Sequence, residues 1–455
     1  MTDRSPDKRS IASNTSRRAF LTGVGATSAA ALAGCTDALG STEQEDETIT
    51  LGNLSAQSGN AALTGIEKNR ATQMAVDEIN EDGGIMDREV ELLTPDPQSD
   101  IQQFQELSKK LINEDEVDAL WAGIRSSVRE AIRPTVDENE QLYFYTNQYE
   151  GGVCDRYTFP VGATSKQKLS LLVPYMIEEF GSNAYIVAAD YVFGQVCATW
   201  TEIFTERNGG QIVGEEFLPI SSSDFAATIN RIQEADPDWM MGILVGAKLN
   251  SFYDVRASSD LTVPVATTTT MTQAYEHIRY DPPALQDVYA GTNFMEEVDT
   301  DRANDFVSRY HEKFPDAEYM NENAQNNYWS VYMYKEAVEE AGTTDQDAVI
   351  DALEQGLSIG SPEGDIAMNG ETHHMSHHIR VAGSDADHNI SIPRDEVVEP
   401  SYLSDIGCNL IENPETTQYV PSEDGTGMGT PSGTATPSGT ATGTGTEGDI
   451  SLGGL

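Results

Sequence analysis

The chain has 455 residues and carries 75 acidic against 27 basic side chains, a net charge of −48. That balance leaves nothing to neutralise phosphates, which excludes nucleic acid as a partner, and it excludes lying flat on an anionic lipid surface. The acid is spread through every region, as in a protein adapted to high salt, where carboxylates stay solvated and salt screens their repulsion.

Residues 16–35 read as an export signal. Arg17-Arg18 beside Phe20-Leu21 is the twin-arginine pattern. The weakly apolar run that follows is too short and too rich in Gly and Ala to span a bilayer. Leu32-Ala33-Gly34-Cys35 has the form of a lipobox, so residues 1–35 are expected to be a twin-arginine lipoprotein signal with Cys35 as the lipid attachment point. The mature chain would then sit on the extracellular face of the membrane, held by lipid alone. Residues 36–47 form an acidic tether. With Cys35 lipidated, Cys154, Cys197 and Cys408 remain, enough for one intrachain disulfide whose members the sequence does not select.

From Thr48 strands and helices alternate. Residues 49–53, 89–94, 119–121 and 142–145 read as strands. The helices between them have one apolar face, Ala71, Met74, Ala75 and Ile79 in the first and Phe104, Leu107, Leu111 and Ile112 in the second. The pattern then repeats. A helix through Leu169, Leu172 and Met176 precedes strands at 185–189, 212–217, 240–245 and 263–267, again with helices between. Such alternation calls for parallel sheets covered by helices, and its doubling for two similar α/β lobes. A strand at 288–293 and helices at 303–314, 323–341 and 348–357 follow. Residues 366–368 and 379–381 read as a closing hairpin, and residues 411–455 as a low-complexity Thr/Gly/Ser/Pro tail that buries too little apolar surface to fold.

In open α/β sheets ligands bind at the carboxyl ends of the strands, where helix N-termini offer free N–H groups. Here those places are residues 55–59, 123–127, 145–151, 190–194, 246–249 and 267–270. They supply hydroxyls, amides and aromatic rings with few charges, which suits a small neutral or zwitterionic solute. No Gly-rich loop with a Lys is present to hold a phosphate. His373, His374, His377 and His378 could hold Zn or Ni, though the stretch also reads as a turn and strand. Glu150 and Asp190 could pair for acid–base work, but no nucleophile elbow accompanies them.

Several of these stretches, taken together in order, resemble a known family. Leu51-Gly52, Ser58-Gly59 and the run from Ala75 to Gly84 are similar to the start of type I periplasmic binding proteins. Tyr149-Glu150-Gly151 before Cys154, Asp190-Tyr191-Val192-Phe193, Leu218-Pro219, Val298-Asp299-Thr300 and Ser361-Pro362-Glu363-Gly364 with His373-His374 resemble its urea and short-chain amide branch. The resemblance implies an α/β fold of two Rossmann-like lobes with parallel sheets, joined by a three-strand hinge. The first lobe would hold 48–162 plus 292–362 and the second 163–291 plus 363–410, with crossings at 159–163, 290–294 and 362–365. It implies a ligand site of Ser126, Tyr145, Asn147, Tyr191, Phe193, Thr269 and Thr270. It also implies an ABC-importer component without cofactor, metal or catalytic activity. That component captures urea or a short amide and delivers it to a membrane permease with its ATPase subunits. Branched-chain or other amino acids on the same fold, a sensory amide receptor and an extracellular amidohydrolase are the alternatives.

Overall fold

The computed structural model describes residues 48–245, 249–259 and 261–419. Cys35, the arginine pair, the tether, Gly246 and most of the threonine-rich tail lie outside the described residues. The first lobe opens with β1 (Ile49–Leu54), α1 (Ala62–Glu81), β2 (Val90–Leu93), α2 (Ile101–Asn113), β3 (Ala119–Ala122), α3 (Ser126–Asn139), β4 (Tyr143–Tyr145), β5 (Val153–Cys154) and β6 (Thr158–Pro160). The second runs α4 (Ser165–Phe180), β7 (Asn183–Ala189), α5 (Val192–Arg207), β8 (Gln211–Leu218), α6 (Ala226–Ala235), β9 (Trp239–Ile243), α7 (Leu249–Ser258), β10 (Val265–Thr267), α8 (Glu276–Arg279) and β11 (Val288–Thr292). The chain continues through α9 (Asp301–Lys313), α10 (Glu322–Ala341), α11 (Gln346–Leu353), β12 (Ser358–Ser361), β13 (Gly364–Asn369), β14 (His374–Met375), β15 (His377–Ser384), β16 (Ile390–Val398), α12 (Ser401–Asp405) and β17 (Thr417–Gln418).

The first sheet has the order β2-β1-β3-β4-β6 and is parallel throughout. Its strands are short and buried on both faces. One face packs on α1, α9, α10 and α11 through Met74, Ile79, Phe306, Trp329 and Val338. The other packs on α2 and α3 through Phe104, Leu111, Ile132 and Val136. The apolar positions read from the sequence in α1 and α2 are buried here, Leu107 only in part, and Asp100 caps α2 by accepting from the N–H groups of Gln102 and Gln103. The second sheet has the order β16-β15-β11-β10-β9-β7-β8. Its strands from β11 to β8 are parallel; β15 and β16 run antiparallel at one side.

Three expectations need correction. The expected hairpin of residues 366–368 with 379–381 does not form: β13 pairs with β12 and β14 in a small sheet, whereas β15 joins β11 and β16. β16 is an edge strand, which is why Pro393 fits inside it without breaking a ladder. The third crossing follows from this. Ile359, Ile366, Met368 and Met375 belong to the first lobe's core, so the chain passes to the second sheet at Ser376 and not at 362–365. The ordered chain also reaches past residue 411, because Thr417 and Gln418 pair antiparallel with Cys154 and Val153.

A disulfide joins Cys154 to Cys408, leaving Cys197 free and buried. It pins the C-terminal segment onto the first lobe beside Leu403, Leu410 and Tyr419. Because it closes a loop across 254 residues of chain, it removes much freedom from the unfolded state. Cys408→Ser is therefore expected to cost roughly 2–4 kcal/mol in guanidinium unfolding. A loss no larger than about half a kcal/mol would mean that the bond constrains nothing the core does not already hold.

Candidate functional site

The two sheets present the carboxyl ends of their strands to one cavity of about 310 Å³. From the first lobe it is lined by residues 59–64, by Ile124, Arg125 and Ser126 at the start of α3, and by Tyr145 and Gln148 after β4. From the second come Tyr191 and Phe193 at the start of α5, Leu244, Thr269, and the turn and short helix that carry Gln273, Glu276, Arg279 and Tyr280.

Tyr145 sits at the floor. Its ring rests on Gly123, where φ is +98° and an added Cβ would lie 3.0 Å from the ring, so the position needs both the glycine's conformation and its lack of a side chain. The Arg129 guanidinium covers the ring at 5.1 Å. Burial raises the phenol's pKa well above its ordinary value, so the hydroxyl stays protonated as a donor. That hydroxyl is fully buried and has no partner among the described residues. Gln148 is in a similar state. Its Nε2 donates to the Thr268 carbonyl at 2.5 Å across the lobe boundary, but its Oε1 accepts nothing. Two residues that line the cavity thus carry a buried donor and a buried acceptor that are unpaired among the described residues, and leaving such groups unpaired is costly.

Ser126 donates to Glu150, which also takes Arg129 Nη2 at 2.7 Å. Glu150 is therefore spent on a buried ion pair that positions Ser126 and Arg129, and no carboxylate pair with Asp190 is involved. Tyr191 and Phe193 face the cavity with ring centroids 6.0 Å apart. Thr269 donates to the Leu244 carbonyl at 2.9 Å. Glu276 accepts from the Met271 N–H at 2.6 Å, pinning a turn in which Met271 and Tyr275 both have positive φ.

Of the residues expected at the site, Ser126, Tyr145, Tyr191, Phe193 and Thr269 border this cavity, and Asn147 and Thr270 do not. Asn147 turns inward to accept from Lys68 Nζ at 2.6 Å, because that ammonium is wholly buried without a carboxylate and needs oxygens. Burial pushes its pKa down to about 7. Thr270 is fully buried and shares a 2.8 Å hydrogen bond with the Tyr253 hydroxyl. Gln148 and Arg125 lie inside stretches the sequence marked, but nothing distinguished them from their neighbours. The segment carrying Glu276, Arg279 and Tyr280 was missed entirely, and with it the cavity's charged character.

The four histidines go to separate places. His373 stacks on Phe159 at 4.0 Å and reaches Glu354 at 3.1 Å, while His374 meets the Tyr149 hydroxyl. His377 reaches Glu363 at 3.0 Å and His378 reaches Asp395 at 3.2 Å. Among the described residues no group of three or more His, Cys, Asp or Glu is placed to hold a metal ion, and no helix is long and apolar enough to cross a membrane.

Paired sheets of this order around a shared crevice define a class of solute-binding folds. Residues 48–389 match the periplasmic binding protein family, and the chain belongs to it. Among solved structures it is similar to a solute-binding protein of an ABC transporter from Rhodopseudomonas palustris in complex with 3,4-dihydroxybenzoic acid. The TM-score is 0.68 at 18% identity, over 78% of this chain and 99% of that one. A branched-chain amino acid transporter substrate-binding protein from Streptococcus pneumoniae in complex with isoleucine gives 0.66 at 18% identity, over 78% and 100%. An amino acid ABC transporter substrate-binding protein from Pseudomonas fluorescens gives 0.71 at 16% identity, over 80% and 99%. At these identities the likeness is one of fold. The chain therefore has the fold of ABC transporter substrate-binding proteins, and the solved structures named here are transport proteins.

Proposed function

We propose that the chain is the extracytoplasmic receptor of an ABC importer, capturing urea or another primary amide between its lobes and handing it to a membrane permease with its ATPase subunits. The carrying observation is the pair of orphaned groups. An amide offers one carbonyl acceptor for the Tyr145 hydroxyl and N–H donors for Gln148 Oε1, with Tyr191 and Phe193 beside its planar group. A site built this way rejects solutes that cannot satisfy both groups. Export by the twin-arginine route and anchoring through a lipid on Cys35 complete the proposal and rest on the sequence pattern. The amino-acid alternative has in its favour Glu276, the sole carboxylate among the described residues bordering the cavity, as a partner for an ammonium group.

Calorimetry against urea, acetamide, butyramide and leucine in high salt tests the proposal. Amides should give heat, and Tyr145→Phe should weaken them about tenfold, as expected for one hydrogen bond of about 1.5 kcal/mol. Heat from leucine alone would overturn the amide assignment and favour the amino-acid reading.

A further inference from the structure

We propose that the captured solute carries, besides its amide, a carboxylate seated between Arg125 and Arg279; this rests on the amide reading above and narrows it. Arginine is scarce in a chain of net charge −48, and most of what there is meets acid. Arg129, Arg133, Arg231, Arg309 and Arg380 each hold a carboxylate within 3 Å. Arg256, which has no such partner, spends its guanidinium on the carbonyls of Gln286 at 2.9 Å and Val263 at 3.1 Å.

Arg125 and Arg279 differ from all of these. Both border the cavity, one from each lobe, and neither makes an ion pair among the described residues. Arg125 gives one hydrogen bond, to Asn60 Oδ1 at 2.9 Å, and Arg279 gives one, to the Ala274 carbonyl at 3.1 Å. Each guanidinium has about five N–H donors, so most remain for a ligand. Arg279 is steadied between the rings of Tyr275 and Tyr280, 5.8 and 5.9 Å from their centroids. Glu276, which accepts from Met271 and forms no ion pair with Arg279, offsets one of these two positive charges and leaves the other. The wall is thus net positive in a molecule that is otherwise strongly negative.

Size points the same way. A cavity of about 310 Å³ lies at the lower end of ordinary small-molecule pockets, and urea would leave most of it empty. A ureido acid or a dicarboxylic acid monoamide fills more of it. Its amide meets Tyr145 and Gln148, and its carboxylate meets planar donors that suit it bidentately.

The test is calorimetry of the full chain in high salt with N-carbamoyl-β-alanine and succinamate, against butyramide, butyrate, benzoate and leucine. The acid amides should bind at least tenfold tighter than butyramide. Arg125→Gln and Arg279→Gln should each erase most of that advantage, with an unchanged guanidinium unfolding midpoint showing that the variants fold. Equal affinity for butyramide and the acid amides overturns the carboxylate inference and leaves the amide reading standing. Binding of butyrate, benzoate or leucine with silence from every amide overturns both. The comparison on the unaltered chain decides even if a variant fails to fold.

Discussion

Glu322→Gln is expected to destabilise the protein by roughly 3–5 kcal/mol, because it strands a buried ammonium. Lys168 lies in α4, the first helix of the second lobe, and Glu322 opens α10 in the first. Both side chains are fully buried, and Lys168 Nζ donates to each carboxylate oxygen at 2.7 Å. Thr292, at the end of β11 where the chain recrosses, adds a hydrogen bond of 2.9 Å to the same carboxylate. Burial already lowers the Lys168 pKa and Glu322 opposes that, so neutralising the acid removes what keeps the ammonium charged. Removing both charges should be far milder than removing one. Lys168→Met with Glu322→Leu is expected to recover most of the loss, since buried pairs can often be replaced by apolar groups of similar size. Guanidinium unfolding of Glu322→Gln, of Lys168→Met and of the double variant reads this directly. Single variants that cost under about 1 kcal/mol would mean that water or another acid compensates Lys168.

This ion pair also shows where sequence reasoning stops. The alternation of strands and helices was legible because period and apolar face are local, and every parallel strand expected in the two lobes is present. The stretches that hold Ser126, Tyr145, Tyr191, Phe193 and Thr269 are legible because the carboxyl ends of parallel strands converge by topology, whereas the choice of those residues within them comes from the family resemblance. Long-range choices were not legible. Asn147 was expected to face solute, but Lys68, 79 residues earlier, claims it. Cys154 could have bonded either remaining cysteine until the C-terminal segment was seen to double back onto β5. Arg125 and Arg279 look like ordinary surface charge in one dimension. They matter because the fold sets both on one crevice, where neither forms an ion pair among the described residues.

His374→Gln is expected to cost less as the medium becomes more acidic. His374 is buried, its Nδ1 faces the Thr372 carbonyl at 2.5 Å, and its Nε2 faces the Tyr149 hydroxyl. A neutral ring with the proton on Nδ1 satisfies both, whereas an imidazolium would point a second N–H at a hydroxyl. Burial pushes the pKa down from 6.5 to about 3, and the nearby His373, Arg129 and His377 add in the same direction. Between those values the unfolded chain binds more protons than the folded one. The ring's contribution is therefore whole above pH 6.5 and is lost as pH falls toward 3, to a total of about 5 kcal/mol. By pH 5 about 2 kcal/mol of it should be gone. Glu67 and Asp137, whose pKa values burial raises to about 7, work in the opposite sense, each gaining stability as pH falls from about 7 toward the ordinary carboxylate range. They are common to both proteins and cancel in the difference. Unfolding of wild type and His374→Gln side by side at pH 7.5 and pH 5 should thus show the gap narrowing by about 2 kcal/mol. A gap that stays constant across that interval would mean that the ring takes up its proton in the folded state as readily as in the unfolded one, and that the Tyr149 hydroxyl turns to accept from it.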